Sequence, residues 1–342
     1  MVSMKDIANA CGVSVATVSK ALNDYKDVGT ETKEYIRQVA KEMGYFPNSA
    51  AKALKTNRTY NLGVLFIDDS QSGLTHDYFC YVLDSFKRTA EEKDYDITFI
   101  NCSKMRKSKM SYLEHAKYRG FDGVIIACID FENPEVMELV RSEIPVVTID
   151  YVFNGRIGVL SDNISGVKDL MHYVYDKGHR KIAFVHGTES AVAEARLKSF
   201  YHTAYELGLE IPDEYILPSA FRSTKESYSQ TIKLLELENP PTCILYPDDF
   251  ACYGGITAIQ ERGLRVSEDI SVVGYDGIQS GRYMGMKLTT LKQDTERIGS
   301  IAAQNLISLI EQPKATLSEP IMVKGEVLEG NTVADLNASQ KN

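Results

Sequence analysis

From Asn61 onward the chain repeats one pattern: a short, continuously apolar run, then an amphipathic stretch, then another apolar run. The runs at 62–67, 97–101, 124–128, 146–149, 182–186, 243–246 and 272–275 are short enough for strands buried on both faces. Between them, the stretches at 78–93, 167–177, 195–207, 225–236, 250–262 and 298–310 carry apolar residues at helical spacing. Repeated β-α-β order dictates parallel sheets with helices on both faces. More than ten such elements overfill one doubly wound sheet, so the 342 residues are expected to build two similar lobes. Two late segments, 289–292 and 321–326, are placed to cross back between the lobes. Ligands of such sheets bind beyond the carboxyl ends of the strands, where this chain has Asp68, Asp69, Asp150, Tyr151, Asp248 and Asp276.

The first 45 residues follow a different rule, that of three short helices. Ser3 and Asp6 have the spacing of a capping box ahead of the apolar face Ile7, Ala8 and Cys11, and Gly12-Val13 ends that helix. Ser14 can cap a second helix that turns Val18, Ala21 and Leu22 inward and leaves Val15, Ala16, Thr17, Ser19 and Lys20 outside. Thr30 can cap a third, with Ile36, Val39, Ala40 and Met43 on one face before Gly44. The short turn between the first two helices is helix-turn-helix spacing. An exposed face of small polar and basic side chains can enter a major groove, although the same spacing also fits an ordinary helical hairpin. Pro47 breaks the chain, 48–55 can form one more short helix, and 56–61 is polar linker.

Charge separates along the same boundary. Residues 1–60 hold nine Lys and Arg against six Asp and Glu, and the remainder holds 29 against 41. A basic head on an acidic body suits a head that meets a polyanion. The densest apolar run, 124–129, is far short of the roughly 20 residues of a spanning helix, so no membrane partner is expected. The N-terminus turns charged before a secretory apolar stretch could build, which points to the cytoplasm. Six scattered cysteines read as reduced core residues. There is no G-x-x-x-x-G-K-[ST] loop, no G-x-G-x-x-G after the first strand, no G-x-S-x-G and no H-E-x-x-H. His172, His179 and His186 fall in different elements, and nothing pairs the cleft carboxylates as acid and nucleophile. No catalysis, cofactor or metal is expected.

The residues themselves resemble the lactose/galactose repressor (LacI/GalR) family. The head blocks are Met4-Lys5-Asp6-Ile7-Ala8, Val18-Ser19-Lys20-Ala21-Leu22-Asn23, Gly44-Tyr45-Phe46-Pro47-Asn48 and Ala51-Lys52-Ala53-Leu54. The body adds Asp162-Asn163-x-x-Gly166, Gly178-His179-x-Lys181, Arg196-Leu197-x-x-Phe200, Gly274-Tyr275-Asp276 and Leu288-Thr289-Thr290-Leu291-x-Gln293-Asp294. The resemblance implies a small all-α helix-turn-helix head on an α/β body of two doubly wound parallel-sheet lobes, similar to periplasmic binding proteins. Its divisions would be 1–47 for the head, 48–60 for a hinge helix and linker, and 61–342 for effector binding and dimerisation. Lobe 1 would take about 61–160 and 293–322, and lobe 2 about 161–290 and 323–342.

What the family does then implies a homodimeric transcription regulator, a repressor, whose operator affinity follows a small molecule, a sugar, bound between the lobes. On that resemblance Ser14, Val15, Ala16, Thr17, Ser19, Lys20, Asn23, Tyr45, Asn48, Ala51, Leu54 and Lys55 meet a pseudo-palindromic operator. Val15-Ala16 is similar to the reading pair of galactose-type repressors, and Leu54 matches the leucine that wedges the minor groove open. Lys20 stands where an arginine is usual, which puts the family's bidentate guanine contact there in doubt. Arg196, Asp248, Asp276 and Phe221 match effector-contact positions, and Asp69, Asp150 and Tyr151 join them as strand-end candidates. Outside that frame Arg196 could pair with Glu194, Asp248 could cap the following helix, and Leu54 could pack on the body. With Lys5, Lys20, Lys33, Lys52, Lys55 and Arg58 in the head and hinge, operator affinity should fall by orders of magnitude between low and physiological salt. A filter-binding or anisotropy titration at several salt concentrations measures that slope, and a flat profile refutes the phosphate contacts.

Overall fold

The computed structural model describes residues 2–46, 53, 58–68, 72–103, 109–188, 190–279 and 285–337. The chain forms two compact units, Met1–Thr59 and Tyr60–Asn342. In the first, helix α1 (Met4–Cys11) opens with the capping box: the Ser3 amide donates to Asp6 Oδ2 at 2.9 Å and the Asp6 amide to Ser3 Oγ at 3.4 Å. Gly12, at φ +67°, ends it in the left-handed conformation that a side chain would strain. The Ser14 hydroxyl accepts from the Thr17 amide and starts α2 (Val15–Leu22). Helix α3 (Thr30–Glu42) departs from the expected cap. Gly29 is its N-cap, with no side-chain bond, and Thr30 is already inside the first turn. Ile7, Ala8, Val18, Ala21, Ile36 and Ala40 bury together as a core of small and branched side chains.

The second unit holds two six-stranded sheets. The first combines β1 (Asn61–Phe66), β2 (Asp96–Phe99), β3 (Gly123–Ala127), β4 (Val146–Ile149), β5 (Ile157–Ser161) and β11 (Ile321–Val323) in the order β11-β5-β4-β3-β1-β2, all parallel. The second combines β6 (Ile182–Gly187), β7 (Ile216–Ser219), β8 (Cys243–Leu245), β9 (Ser271–Asp276), β10 (Thr289–Lys292) and β12 (Glu326–Leu328) in the order β12-β10-β9-β8-β6-β7. Only β12 runs antiparallel there, against β10.

Period-two alternation explains why these strands read as continuous apolar runs. In β3, Ile125 and Ala127 face the layer of α4 (Phe79–Glu91) and α11 (Thr295–Glu311), while Val124 and Ile126 face that of α5 (Tyr112–Arg119) and α6 (Pro134–Arg141). The second sheet is sandwiched in the same way between α7 (Asn163–Asp176) with α8 (Ala191–Glu206) and α9 (Thr224–Leu235) with α10 (Asp249–Glu261). The chain passes from one sheet to the other three times: after Ser161, at Gln293 and Asp294, and at Lys324 and Gly325. The apolar segment 321–326 therefore divides, giving an edge strand to each sheet. Strands β5 and β7 and helices α5 and α6 are additional to the sequence pattern. β5 carries Gly158, and β7 carries Pro218, which an edge strand tolerates because its outer amides need no partner. No helix of the described residues is long and apolar enough to cross a membrane.

Helices α9 and α10 touch backbone to backbone at Gly254, where a Cβ would lie 1.9 Å from the Thr224 carbonyl oxygen. Gly254→Ala must push the two helices apart, at a cost of about 1–3 kcal/mol for overpacking. A melt followed by circular dichroism should show the midpoint lowered by several degrees, and an unchanged midpoint refutes this close packing.

Candidate ligand site and DNA-reading helix

The carboxyl ends of the strands place the acidic candidates. Asp150 follows β4 at φ +59° and Asp276 ends β9 at φ +110°, so both side chains are turned out of strand alternation by backbone that only a well-supported structure retains. Burial pushes both carboxyls up, with Arg196 pulling each back down. Asp150 Oδ1 accepts from the Ser161 amide at 3.2 Å and Oδ2 from the Tyr78 hydroxyl at 3.4 Å. Asp276 Oδ1 accepts from Gln293 Nε2 at 2.6 Å.

Arg196, on α8, is 5% exposed. Its Nε donates to Asn163 Oδ1 and its Nη1 to the Pro247 carbonyl, both at 2.7 Å, and the guanidinium lies 3.4 Å over the Tyr275 ring. Glu194 pairs with Lys198 instead, so Arg196 is a buried cation among acids rather than half of a surface ion pair. Phe221 lies 5.9 Å from the guanidinium, and its ring occupies the space beside Gly187 at the end of β6, where a Cβ would come within 2.3 Å of it. Asp248 is the N-cap of α10. Its Oδ1 accepts from the Ala251 amide and its Oδ2 from the Arg222 amide, each at 2.7 Å. The capping geometry is thus realised, and Asp248 meets Arg196 through charge rather than a direct bond.

Arg196, Asp150, Asp248, Asp276 and Phe221 belong to one neighbourhood. The ring of Tyr151 is not brought to it by any of these contacts: it stacks on Phe131 at 4.5 Å and tilts against Phe153, in the cluster on the α5 and α6 side of the first sheet. Asp69 lies outside the described residues. Several contributors carry no sequence signal of their own. Asn163 and Gln293 sit in family blocks but announce no ligand chemistry, and Tyr78 reads as an ordinary core aromatic. Asp249, one residue beyond the cap, accepts from Thr290 Oγ1 at 2.6 Å and from the Ile278 amide at 2.8 Å, and burial pushes it up to about 7. Arg222 reaches Asp77 of the other sheet at 2.9 Å while lying over Phe250. Only the fold reveals that pair, because 145 positions separate its members.

Among the described residues, Asp68, His76 and Cys128 bring an oxygen, a nitrogen and a sulfur within 4.8 Å of one another. Burial, with Arg222 nearby, holds His76 down at about 4, so its ring is neutral. His76 Nδ1 accepts from the Tyr78 and Phe79 amides at 3.3 and 3.4 Å, which leaves Nε2 holding the ring proton. A metal held through Nε2 needs the opposite tautomer, so the donor set is assigned no ion.

On the head, Val15, Ala16 and Lys20 are exposed along α2, with Thr17 and Ser19 half-buried. Ser14 and Thr17 share a hydroxyl bond of 2.9 Å, and Asn23 Nδ2 donates to the Ser19 carbonyl at 2.7 Å. Lys20 pairs with Asp27, and Asp24 draws Lys33 and Arg37 to 3.1 and 2.9 Å. Part of the basic excess is thus engaged locally. Tyr45 packs half-buried against the head core. Asn48, Ala51, Leu54 and Lys55 lie outside the described residues.

Known proteins share both parts. Residues 3–48 match the lacI family of bacterial regulatory proteins, and residues 171–333 match a periplasmic binding protein-like domain. The chain is 30% identical over 340 residues to the probable HTH-type transcriptional repressor ExuR of Bacillus subtilis (strain 168), covering 98% of this chain and 99% of that protein. It is 30% identical over 343 residues to the HTH-type transcriptional repressor PurR of Serratia proteamaculans (strain 568), covering 98% of each. A lac repressor dimer solved with operator and the anti-inducer ONPF has the same fold, at a TM-score of 0.82 and 24% identity over 97% of this chain and 99% of that one. Similarity to ExuR runs through head and body alike, as the motif blocks do, and the chain belongs to the LacI family of bacterial regulatory proteins, acting in transcription control rather than catalysis.

Proposed function

We propose that this protein represses transcription as a homodimer on a pseudo-palindromic operator, and that a sugar bound between the two sheets of the body sets its operator affinity. The observation that carries the effector half is Arg196: one buried guanidinium stacked on Tyr275, within the field of Asp150, Asp248 and Asp276 from both sheets. Such a mixture of acceptors and a planar donor, with the Phe221 ring beside it, fits a polyhydroxylated ring, whose hydroxyls both donate and accept. The head residues from Ser14 to Asn23, with Tyr45, are assigned to the operator. Asn48, Ala51, Leu54 and Lys55 are assigned to a hinge between the head and the two lobes. A dimer matches a palindrome because its twofold axis repeats one half-site, and a protein that acts on chromosomal DNA would work in the cytoplasm. Closing the lobes on a ligand would alter the spacing of paired hinges and so couple two distant sites.

A thermal-shift screen of the full chain with D-galactose, D-ribose, cellobiose and D-glucuronate, repeated with operator present, tests both halves at once. Arg196→Ala should lose at least tenfold in sugar affinity, since charge-assisted bonds are worth about 1.5–3 kcal/mol each, while operator affinity stays within about twofold. Leu54→Ala should lose operator affinity by about tenfold and keep sugar binding. Melts of both variants control for folding. Normal sugar binding by Arg196→Ala refutes the pocket, and normal operator binding by Leu54→Ala refutes the minor-groove wedge.

A further inference from the structure

Two side chains at the crossings between the sheets tie the proposed effector carboxylates together. Ser161 is the last residue of β5 and Gln293 follows β10, so each stands where the chain leaves one sheet for the other. Both are 5% exposed. The Ser161 amide donates to Asp150 Oδ1 at 3.2 Å, its hydroxyl donates to Gln293 Oε1, and Gln293 Nε2 donates to Asp276 Oδ1 at 2.6 Å. With Asp276 charged and so able only to accept, Gln293 turns its Nε2 toward that carboxylate and its Oε1 toward the Ser161 hydroxyl. The Tyr78 hydroxyl lies 3.4 Å from Asp150 and 3.5 Å from Ser161 Oγ, bracing the same corner. The third crossing is tied to the first, since the Asp162 amide donates to the Val323 carbonyl at 2.8 Å.

We propose that Ser161 and Gln293 are positioning residues, a hydrogen-bonded clamp that holds Asp150 of one lobe and Asp276 of the other at a fixed separation for the effector. Neither needs to touch the ligand. The clamp converts two half-sites on separately folded sheets into one site, and any closing movement must carry it along or break it. This inference rests on the effector reading above.

Three variants of the full chain test it. Gln293→Leu keeps the volume and removes both bonds, and Ser161→Ala removes the hydroxyl while retaining the amide bond to Asp150. Each should bind the sugar of the four-member panel that stabilises the unsubstituted protein at least tenfold more weakly. Gln293→Glu adds a pH profile that a purely structural role would not produce. The charged or ionisable groups facing this position are Asp276, Asp150 and Tyr78, with Arg196, Asp248 and Asp249 beyond Asp276. A protonated Glu at 293 can accept from Ser161 and donate to Asp276 as the amide does. Once ionised it can only accept, and it repels Asp276.

Its affinity relative to the unsubstituted protein at the same pH should therefore be within about threefold at pH 5.5 and at least tenfold lower at pH 9. Hydrogen exchange without sugar supplies a second measure. In Gln293→Glu, relative to the unsubstituted protein at each pH, the amides around 161–163 and 293–295 should lose protection at pH 9 and recover it at pH 5.5, with β3 and β8 unchanged. Unsubstituted affinity in Gln293→Leu, or protection ratios that do not vary with pH, overturns the clamp. An exchange pattern as expected, with no panel sugar binding the unsubstituted protein, upholds the clamp and faults the sugar reading alone.

Discussion

A guanidinium taken out of water has to be met by acceptors and counter-charge, and in this body Arg196 imposes that demand on everything around it. Asn163 and the Pro247 carbonyl satisfy two of its nitrogens, and Tyr275 covers one face. Asp150, Asp248 and Asp276 bring acidic groups to it from the carboxyl ends of both sheets. Those carboxyls are themselves pushed up by burial; Arg196 favours their charged forms, beside the backbone amides of Ser161 at Asp150 and of Arg222 and Ala251 at Asp248. Cation and acids are therefore mutually dependent. The left-handed backbone at Asp150 and the unusual φ of Asp276 are the local strain at which the acids reach it.

That arrangement works only because two sheets bring their carboxyl ends together, and the sheets were largely legible in the sequence. Strands buried on both faces must be apolar throughout, so runs such as Val124-Ile125-Ile126 declare themselves. The strands that escaped do so for a physical reason. β7 is an edge strand with a proline, and β5 is interrupted by Gly158, so neither shows an unbroken apolar run. Separation into two edge strands at Lys324 and Gly325 follows from which sheet has an open edge, a tertiary fact invisible in a six-residue window.

The site was legible residue by residue but not as a network. Arg196, Asp150, Asp248, Asp276 and Phe221 could be named from strand ends and family blocks, yet the sequence does not show that Asp248 gives one oxygen to its helix cap at Ala251 and the other to a backbone amide arriving from Arg222. Gln293 and Ser161 are ordinary polar residues in sequence, and their importance arises from where three crossings converge. In the head, local charge counting overstated the free cations, since Asp24 and Asp27 fold back onto Lys33, Arg37 and Lys20. A phosphate would have to displace a carboxylate at those places, a smaller gain than meeting an unpaired ammonium.

The three crossings also bear on how the chain is made. The first sheet is not finished when its fifth strand leaves the ribosome, because α11 covers its face and β11 extends its edge only after residue 295. Until then Leu62, Val64 and Val159 lack the cover that Ala302, Leu306 and Ile307 provide. The stretch from 162 to 294, including most of the second sheet, is synthesised while that apolar face waits for its partner. Both lobes therefore complete almost together, when β11 and β12 emerge a few residues apart, and a nascent chain stalled near residue 290 would present chaperones with one nearly complete lobe and one open sheet.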